Sequence, residues 1–442
     1  MRSARTLVAG VLAVSVVALA PPQAAEAHHR HGADDPTVIS DWNRYAVEAL
    51  VGDPSLPVKA PIEVYLYSAF AQVAVYNAVV GIEGGYRPYH FREKAPRHAS
   101  SQAAAAAAAH RVLVTYSPAR QAVLDGHYAE SLKAIPDGRS KTEGMEYGER
   151  AAAALIASRV GDGRNGDVRW NPAKPTAPGV WQPTPPSAAP FSAPWLGYVR
   201  PLMIRSGDQF DPGPPPAMTS RRYAHDFNEV KDYGAIGSTV RTSAMTASAQ
   251  FFSGNPVVQF TTALQDQAHK RGLDIADAAR LFAAAHMSLA DASIAIWWTK
   301  HHYGFWRPLT AIRNAEGDGN KATTADPSWT PAIEGMPVPL PSRETPPYPD
   351  YVSGYNGVMG AFTQALRDVL GTRHLDLVLT STASPGEVRT YDQGRDALQQ
   401  VIDARVWLGL HFRFADTAAA AMGRQVAHEG LEDNLQPTHS DR

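Results

Sequence analysis

The sequence predicts an all-α fold, and three observations support this prediction. Apolar residues recur at helical spacing over most of the 442 residues, whereas the strict alternation typical of half-buried strands is scarce. Stretches rich in proline and glycine separate the helical segments. No sequence repeat is evident. Periodicity therefore predicts helices and leaves their arrangement open.

The first 27 residues have the pattern of a secretory signal peptide. Arg2 and Arg5 precede an apolar run at 7–20, and Ala25-Glu26-Ala27 forms a cleavage signal of two small residues around a variable one. That run is too short for a comfortable membrane span, and no later run reaches about 18 uninterrupted apolar residues. We therefore expect a secreted, extracellular protein without a membrane span after signal cleavage.

Five helical segments lie in the first part of the mature chain, residues 38–161. They are 40–50, 62–80, 103–116, 120–135 and 141–160. The composition then changes to proline, glycine and tryptophan over residues 162–217. Because proline fixes φ and lacks an N–H donor, this connecting segment is predicted to be irregular.

Helical patterns resume in the last part of the chain, residues 218–436. They cover 220–233, 244–252, 257–270, 275–301, 352–370, 393–410 and 417–434. A second irregular loop is predicted at 314–350, where it can shape the entrance to a site.

Composition excludes several classes of function. The 41 basic and 43 acidic side chains nearly cancel, which argues against a nucleic-acid partner bound through counterion release. There is no cysteine, so neither disulfides nor thiol chemistry are available. The chain also lacks a phosphate-loop signature, a dinucleotide glycine fingerprint, a Gly-x-Ser-x-Gly elbow and a His-Glu-x-x-His zinc motif.

Two cations are spaced to converge on one anion. Lys300 and Arg307 are seven residues apart in a segment that continues a helical pattern. Seven residues on a helix bring a side chain back to nearly the same face two turns later. The spacing therefore predicts that both cations lie on one helix face.

Two further groups downstream suit an oxyanion. Ser353-Gly354 precedes a predicted helix, where serine is a favoured N-cap and the first N–H groups form an anion site. Arg405 and His411 follow in a helix-like apolar stretch and supply a fork-shaped donor and an imidazole. An imidazole beside a bound oxyanion can be a metal ligand or a nucleophile.

In this order, the motifs resemble those of a superfamily with the pattern Lys, six residues, Arg-Pro; then Pro-Ser-Gly-His; then Ser-Arg, five residues, His. Vanadium-dependent haloperoxidases, class A acid phosphatases and type 2 phosphatidic acid phosphatases share it, and the run Phe305-Trp306-Arg307-Pro308 is most similar to the chloroperoxidase branch. The resemblance implies two antiparallel helical bundles, an N-terminal one over 38–161 and a C-terminal one over 218–436 that carries the oxyanion site.

The resemblance also implies roles for individual residues. His411 is the implied axial vanadium ligand or phosphate-accepting nucleophile, and Lys300 is the implied cation that polarises bound peroxide. The groups implied to hold the vanadate or phosphate oxygens are Lys300, Arg307, Ser353, the Gly354 N–H and Arg405.

The chain departs from the family pattern at two positions. Tyr355 replaces the acid–base histidine, and Ala404 replaces the serine before Arg405. A free tyrosine titrates near pKa ~10 and a histidine near ~6.5, so Tyr355 is expected to be a poor base that can still donate a hydrogen bond in the site. General acid–base help contributes on the order of 10²–10⁴ in rate, so this exchange is expected to weaken catalysis.

Three functions remain open at this point. The first is a vanadium-dependent haloperoxidase-like oxidoreductase that holds vanadate and acts on hydrogen peroxide, a halide and an organic acceptor. The second is a phosphoric-monoester hydrolase that binds phosphate and forms a phosphohistidine at His411. The third is a descendant that binds oxyanions without redox chemistry or without catalysis. The sequence does not determine the oligomeric state.

Overall fold

The computed structural model describes residues 35–52, 59–338 and 343–438. The predicted signal peptide, residues 1–27, lies outside the described residues. The first helices along the chain are α1 (Thr37–Val51), α2 (Pro61–Glu83), α3 (Ser101–Tyr116), α4 (Gln121–Lys133) and α5 (Arg139–Ser158). They correspond to the five helical segments predicted before residue 162.

The later helices follow an irregular stretch that contains one short 3-10 turn, Pro194–Tyr198. They are α6 (Arg221–Tyr233), α7 (Ser243–Phe251), α8 (Pro256–Lys270), α9 (Ile275–Tyr303), α10 (Pro308–Arg313), α11 (Gly354–Leu370), α12 (Gly394–Trp407) and α13 (Arg413–Asp433). The predicted all-α class is confirmed, since β structure in the described chain amounts to one short hairpin and isolated bridges.

That hairpin was not predicted. Strand β1 (His374–Thr380) pairs antiparallel with β2 (Val388–Gln393), with Leu377 opposite Tyr391. Alternate residues of β1 are buried, Leu375, Leu377 and Leu379, and its other face is more exposed. The short helix α10 was also missed; it lies immediately before the loop predicted to be irregular at 314–350.

Helix α9 is the central element of the fold and carries the first site motif at its end. The side chain of Asp274 caps it by accepting the Asp277 N–H at 2.8 Å. The helix packs against both α2 and α11, and nearly all of its residues are buried. Among the described helices, α2 and α9 are long and apolar enough to cross a membrane, but 89% and 94% of their apolar windows are buried in the protein.

Close contact between α11 and α13 positions the second motif. A Cβ atom on Gly423 would lie 1.9 Å from the carbonyl oxygen of Gly357, and one on Gly360 would lie 2.6 Å from that of Ala420. Only glycine lets the two backbones approach this closely, as also happens where Gly148 of α5 meets Ala104 of α3. The N-terminus of α11 is therefore held rigidly against α13.

The predicted division into bundles at 38–161 and 218–436, joined by 162–217, stays a prediction. The described helices respect these bounds, since α5 ends at Ser158 and α6 begins at Arg221. However, α1 packs against α8 and α2 packs against α9, so the described early helices contact the later ones directly.

Candidate active site

Lys300 and Arg307 do not lie on one helix face, so that prediction was wrong. Helix α9 ends at Tyr303, and Gly304 follows in the left-handed region at φ 54°. A Cβ atom there would lie 1.8 Å from the Trp170 ring, so the turn requires glycine. Arg307 is the N-cap residue of α10. The two cations are brought together by the end of one helix and the start of the next.

Lys300 is fully buried and points its ammonium group at the loop that precedes α11. Its Nζ donates to the carbonyl oxygens of Pro349 at 2.6 Å and Asp350 at 3.1 Å, and it lies 4.9 Å from the centre of the Tyr348 ring. Burial lowers the pKa of Lys300 well below its usual range, and the neighbouring Arg307 lowers it further, whereas the Asp350 carboxylate opposes the change.

The Arg307 guanidinium is fully buried among the same backbone segments. Its Nε donates to the carbonyl oxygen of Tyr348 at 2.8 Å, and its Nη1 donates to that of Leu410 at 3.0 Å. The same Nη1 lies 3.2 Å from Nε2 of His411. Three distant parts of the chain therefore meet at this one side chain.

His411 does not lie in a helix, contrary to the prediction for 393–410 and the stretch that follows. Helix α12 ends at Trp407, and Gly409 takes a left-handed conformation at φ 74°. A Cβ atom on Gly409 would lie 2.5 Å from the carbonyl oxygen of Gly234, so this turn also requires glycine. His411 therefore lies in the short connection between α12 and α13.

The hydrogen bonds of His411 fix its tautomer. Because arginine has only donors, Nε2 must accept the Arg307 N–H and carry no proton. Its Nδ1 therefore carries the hydrogen and donates it to Oδ1 of Asp350 at 2.6 Å. Burial lowers the pKa of His411 well below its usual range, and the nearby cations Arg307, Arg405 and Lys300 lower it further. The ring is neutral, with its lone pair on Nε2.

Asp350 is the main functional residue that sequence reasoning missed. It is fully buried and also lies 3.8 Å from Nη1 of Arg307. Burial raises its pKa to about 7, and Arg307 and Lys300 oppose that rise. The available signal was an acidic residue three positions before Ser353 in a proline- and tyrosine-rich loop. A carboxylate there is expected to orient a nearby imidazole, but the sequence does not reveal which one.

Arg405 approaches the same place from α12 and has an unmet donor. Its side chain is buried, and among the described residues no hydrogen-bond partner exists for its Nε. Its Cζ lies 5.7 Å from the centre of the Tyr355 ring. Burial lowers the pKa of Arg405, while nearby Tyr348 and Asp416 oppose this. A buried guanidinium donor without an acceptor is unfavourable unless an anion binds beside it.

Ser353 and Gly354 occupy the predicted place at the start of α11. Ser353 is the N-cap residue, but its hydroxyl does not cap the helix, and its N–H donates to the carbonyl oxygen of Ala415 at 3.1 Å. Asn356 links this turn to α13 by donating to Asp416 at 2.7 Å. Burial raises the pKa of Asp416 well above its usual range, while hydrogen bonding from Ser353 opposes this.

Tyr355 is turned toward a neighbour outside the group of cations. Its hydroxyl donates to Oε1 of Gln259 at 2.5 Å, and the Gln259 amide in turn donates to the Thr380 carbonyl oxygen at 2.7 Å. Burial raises the pKa of Tyr355 far above its ordinary value, and Arg405 only partly opposes this. A catalytic role for Tyr355 stays a prediction, and its hydroxyl is not poised to take a proton at neutral pH.

With this geometry established, the chain can be compared with known proteins. Residues 280–438 match the protein family described as the VCPO second helical-bundle domain. Vanadium chloroperoxidase of Curvularia inaequalis is 29% identical in an alignment of 185 residues, which covers 33% of this chain and 29% of that protein. These two matches support the vanadium haloperoxidase superfamily for the last third of the chain. The match spans less than a third of the length of the Curvularia enzyme.

Solved structures from the vanadium haloperoxidase superfamily share the fold over nearly the whole chain. A bacterial vanadium-dependent iodoperoxidase has a TM-score of 0.75 at 22% identity, covering 92% of this chain and 98% of its own. A holo-type bacterial vanadium-dependent chloroperoxidase has a TM-score of 0.68 at 18% identity, covering 90% of this chain and 97% of its own. The similarity therefore includes the N-terminal helices, which carry no diagnostic motif.

The donor set fits the vanadate that gives the superfamily its name. Lys300, Arg307 and Arg405 are three buried cations, and two of them act on the pKa of the third. Arg405 keeps an unmet buried donor, and the His411 lone pair lies on the side of Arg307. An oxyanion between them offsets the repulsion among the cations and accepts the free donor.

Proposed function

We propose that this protein is a secreted vanadium-dependent haloperoxidase that uses hydrogen peroxide to oxidise a halide. The hypohalous acid formed halogenates an organic acceptor. The proposal is carried by one observation: a neutral imidazole, held by a buried carboxylate, presents its unprotonated nitrogen to buried arginine donors. The match to the superfamily supports the same chemistry.

Vanadate has a defined set of partners in this proposal. His411 would bind vanadate through Nε2, in place of the Arg307 N–H that Nε2 accepts in this structure, and Asp350 holds the ring in the required tautomer, as carboxylates do for many metal-bound histidines. Its oxygens would be held by Lys300, Arg307, Arg405, Ser353 and the Gly354 N–H. When bound, vanadate supplies a Lewis acid that activates peroxide without changing its oxidation state.

In this proposal the side chains of the site mainly bind the anion through their charge and position, and they contribute little proton transfer. Burial strengthens the interaction of Lys300 and Arg307 with any bound anion, because little water screens it. The Tyr355 hydroxyl is held by its hydrogen bond to Gln259, and Tyr355 does not act as a base at neutral pH. We therefore expect slow turnover, with bromide or iodide oxidised before chloride.

The test is halogenation by the reconstituted full-length mature protein. Protein incubated with orthovanadate should halogenate a phenolic acceptor in the presence of peroxide and bromide or iodide, between acidic and neutral pH. His411→Ala should abolish the reaction. His374→Ala is the matched control, because His374 also binds an aspartate but lies on the surface. Absence of bromination and iodination across this pH range would refute the proposal.

A second candidate is phosphoric-monoester hydrolysis. The unprotonated Nε2 of His411 is also what a phosphate-accepting nucleophile requires, and the same cations suit phosphate oxygens. Aryl phosphates with good leaving groups need little protonation, so Tyr355 need not block them. Hydrolysis inhibited by vanadate and absent in His411→Ala would support this candidate. Equal hydrolysis by wild type and His411→Ala would eliminate it.

The third candidate is an oxyanion-binding descendant without redox chemistry. The hydrogen bond from Tyr355 to Gln259 favours it, because the residue at the family's acid–base position donates its hydroxyl proton to a side chain outside the group of cations. Tight vanadate binding by calorimetry, together with no detectable activity in the halogenation and phosphate-ester hydrolysis assays, would identify this case.

Secretion belongs to the same proposal and has its own test. The N-terminal sequence pattern of residues 1–27 supports export and cleavage after Ala27. Expression of the full chain in a secreting host should yield protein in the medium that begins at His28. Retention of the uncleaved chain inside the cells would contradict this part of the proposal.

A further inference from the structure

Four arginines line a groove on the surface of the later helices. Arg367 belongs to the last turns of α11, Arg373 to the connection before β1, Arg395 to the first turn of α12, and Arg424 to α13. The groove lies at the opposite end of α11 from Gly354. Arg367 follows Gly354 by thirteen residues. At about 1.5 Å per residue, it lies about 20 Å along the helix from the candidate active site.

No acidic residue lines this groove. Its other lining residues are uncharged, namely Thr363, Gln364, Leu375, Gln393, Gly394 and Leu398. Within the part of the chain that the structure describes, Arg367, Arg373 and Arg424 form no ion pair. Arg395 lies 3.6 Å from Asp396, both side chains being exposed, and it also acts on the nearby Asp392.

This concentration of positive charge is unusual for a protein whose net charge is −2. Like charges within a Debye length, about 8–10 Å in ordinary buffers, repel one another. The repulsion is relieved when an anion binds between them. Some surface arginines elsewhere on the protein have acidic partners, as Arg169 has Asp167 and Arg44 has Glu48.

A helix terminus adds to the positive potential. Helix α12 begins at Gly394 within the groove, and the side chain of its N-cap residue, Gln393, does not cap it. The first N–H groups of a helix and its dipole both favour an anion at this end. The arginine side chains are the second and independent feature, since they come from four different elements.

The size of the groove limits the ligand. Its volume is about 200 Å³, below the range of about 300–1,000 Å³ that is typical of sites for drug-sized molecules. Arginine forms paired hydrogen bonds to the oxygens of phosphate and sulfate groups. A small molecule with one or two tetrahedral oxyanion groups therefore suits both the charge and the volume.

We propose that this arginine groove is a second anion-binding site, for a small phosphate or sulfate ligand, separate from the vanadate site. Its ligand is held by Arg367, Arg373, Arg395 and Arg424 and by the start of α12. The proposal does not depend on the haloperoxidase chemistry, because it concerns a different end of α11 and different residues.

The experiment is titration calorimetry of the full-length mature protein with pyrophosphate, inorganic phosphate and sulfate as separate probes. Arg373→Gln/Arg424→Gln should weaken binding of the preferred probe at the groove by about tenfold or more and reduce its salt dependence. Arg97→Gln, an exposed arginine outside the groove, is the control and should change the affinity by less than about twofold.

Phosphate-like ions also suit the cation cluster at His411, so one further variant separates the two sites. Arg405→Gln should remove binding at the cluster and leave the groove affinity intact. Preference for pyrophosphate and phosphate over sulfate identifies a phosphate ligand, and the reverse order identifies a sulfate ligand. The proposal is overturned if no probe binds Arg405→Gln, or if the groove substitutions leave every affinity unchanged. Thermal unfolding of each variant checks that it is folded.

Discussion

Oδ1 of Asp350 lies 2.6 Å from Nδ1 of His411, and both side chains are buried. A second pair with the same chemistry, Asp392 and His374, lies 2.9 Å apart on the surface. The two pairs differ in what surrounds them. In the buried pair, Nη1 of Arg307 meets Nε2 of His411, which fixes the proton on Nδ1 and leaves Nε2 unprotonated.

Removal of the buried carboxylate should weaken vanadate binding. In Asp350→Ala, His411 loses the acceptor that orients its ring, so we expect an affinity for vanadate about 10–100 times lower. Titration calorimetry measures this loss, and Asp392→Ala, which breaks the surface pair, should bind vanadate like the wild type. Unchanged binding by a folded Asp350→Ala would show that the bond does not support the site.

Replacement of Tyr355 by histidine should raise the rate of halide oxidation. A histidine titrates near neutral pH, so Tyr355→His supplies a base, and we expect a gain on the order of 10² or more in rate at neutral pH. Initial rates with bromide and iodide measure it. Tyr355→Phe keeps the ring and removes only the bond to Gln259, so it should retain wild-type activity. A collapse of activity in Tyr355→Phe would instead assign the hydroxyl a catalytic role.

His286 should make stability depend on pH between about 4 and 6.5. Burial lowers its pKa to about 4, and among the described residues neither ring nitrogen has a hydrogen-bond partner. The unfolded chain therefore binds this proton more tightly, so the contribution is complete above pH 6.5 and is lost as the pH falls toward 4. At about 1.36 kcal/mol per pH unit, the change reaches roughly 3 kcal/mol.

The measurement is the difference in unfolding free energy between wild type and His286→Leu across that pH range. The comparison with His286→Leu is needed because another group changes the wild-type stability in the opposite direction with pH. Burial raises the pKa of Asp291, on the same helix, to about 6. The difference should grow with pH up to about 6.5 and then level off. A flat difference for His286→Leu would contradict the prediction.

A single methyl group on Gly423 should destabilise the protein. In Gly423→Ala the new Cβ would lie 1.9 Å from the Gly357 carbonyl oxygen, so α13 must move away from the helix that begins at Gly354. We expect a loss of about 1–3 kcal/mol in unfolding free energy, as for other overpacked sites. Denaturant titration measures it. Gly126→Ala, in α4 with nothing within 4 Å, should be neutral or stabilising by up to about 1 kcal/mol.

The helices were largely predictable because their signal is local. The segments predicted at 220–233, 257–270 and 275–301 correspond to α6, α8 and α9. The errors fall where tertiary contacts override the periodic pattern. Helix α9 stops at Gly304 because the Trp170 ring occupies the space a side chain would need, and α12 stops before Gly409 because the backbone of Gly234 lies there. Neither Trp170 nor Gly234 is close to these turns in sequence.

The identities of the cations and of the imidazole could be read from residue types and spacing alone, because the order of Lys300, Arg307, Arg405 and His411 follows a family pattern. What the sequence could not provide was the way they meet. Their convergence depends on two left-handed turns and on the loop that brings Asp350 within hydrogen-bonding distance of His411. Each of these is set by packing between segments more than 50 residues apart. Local sequence determines which groups are available and which segments are helical. The folded chain excludes water and selects the partners of each group. Only this decides where the proton lies on His411, that the Tyr355 hydroxyl bonds to Gln259, and that the Arg405 donor is free.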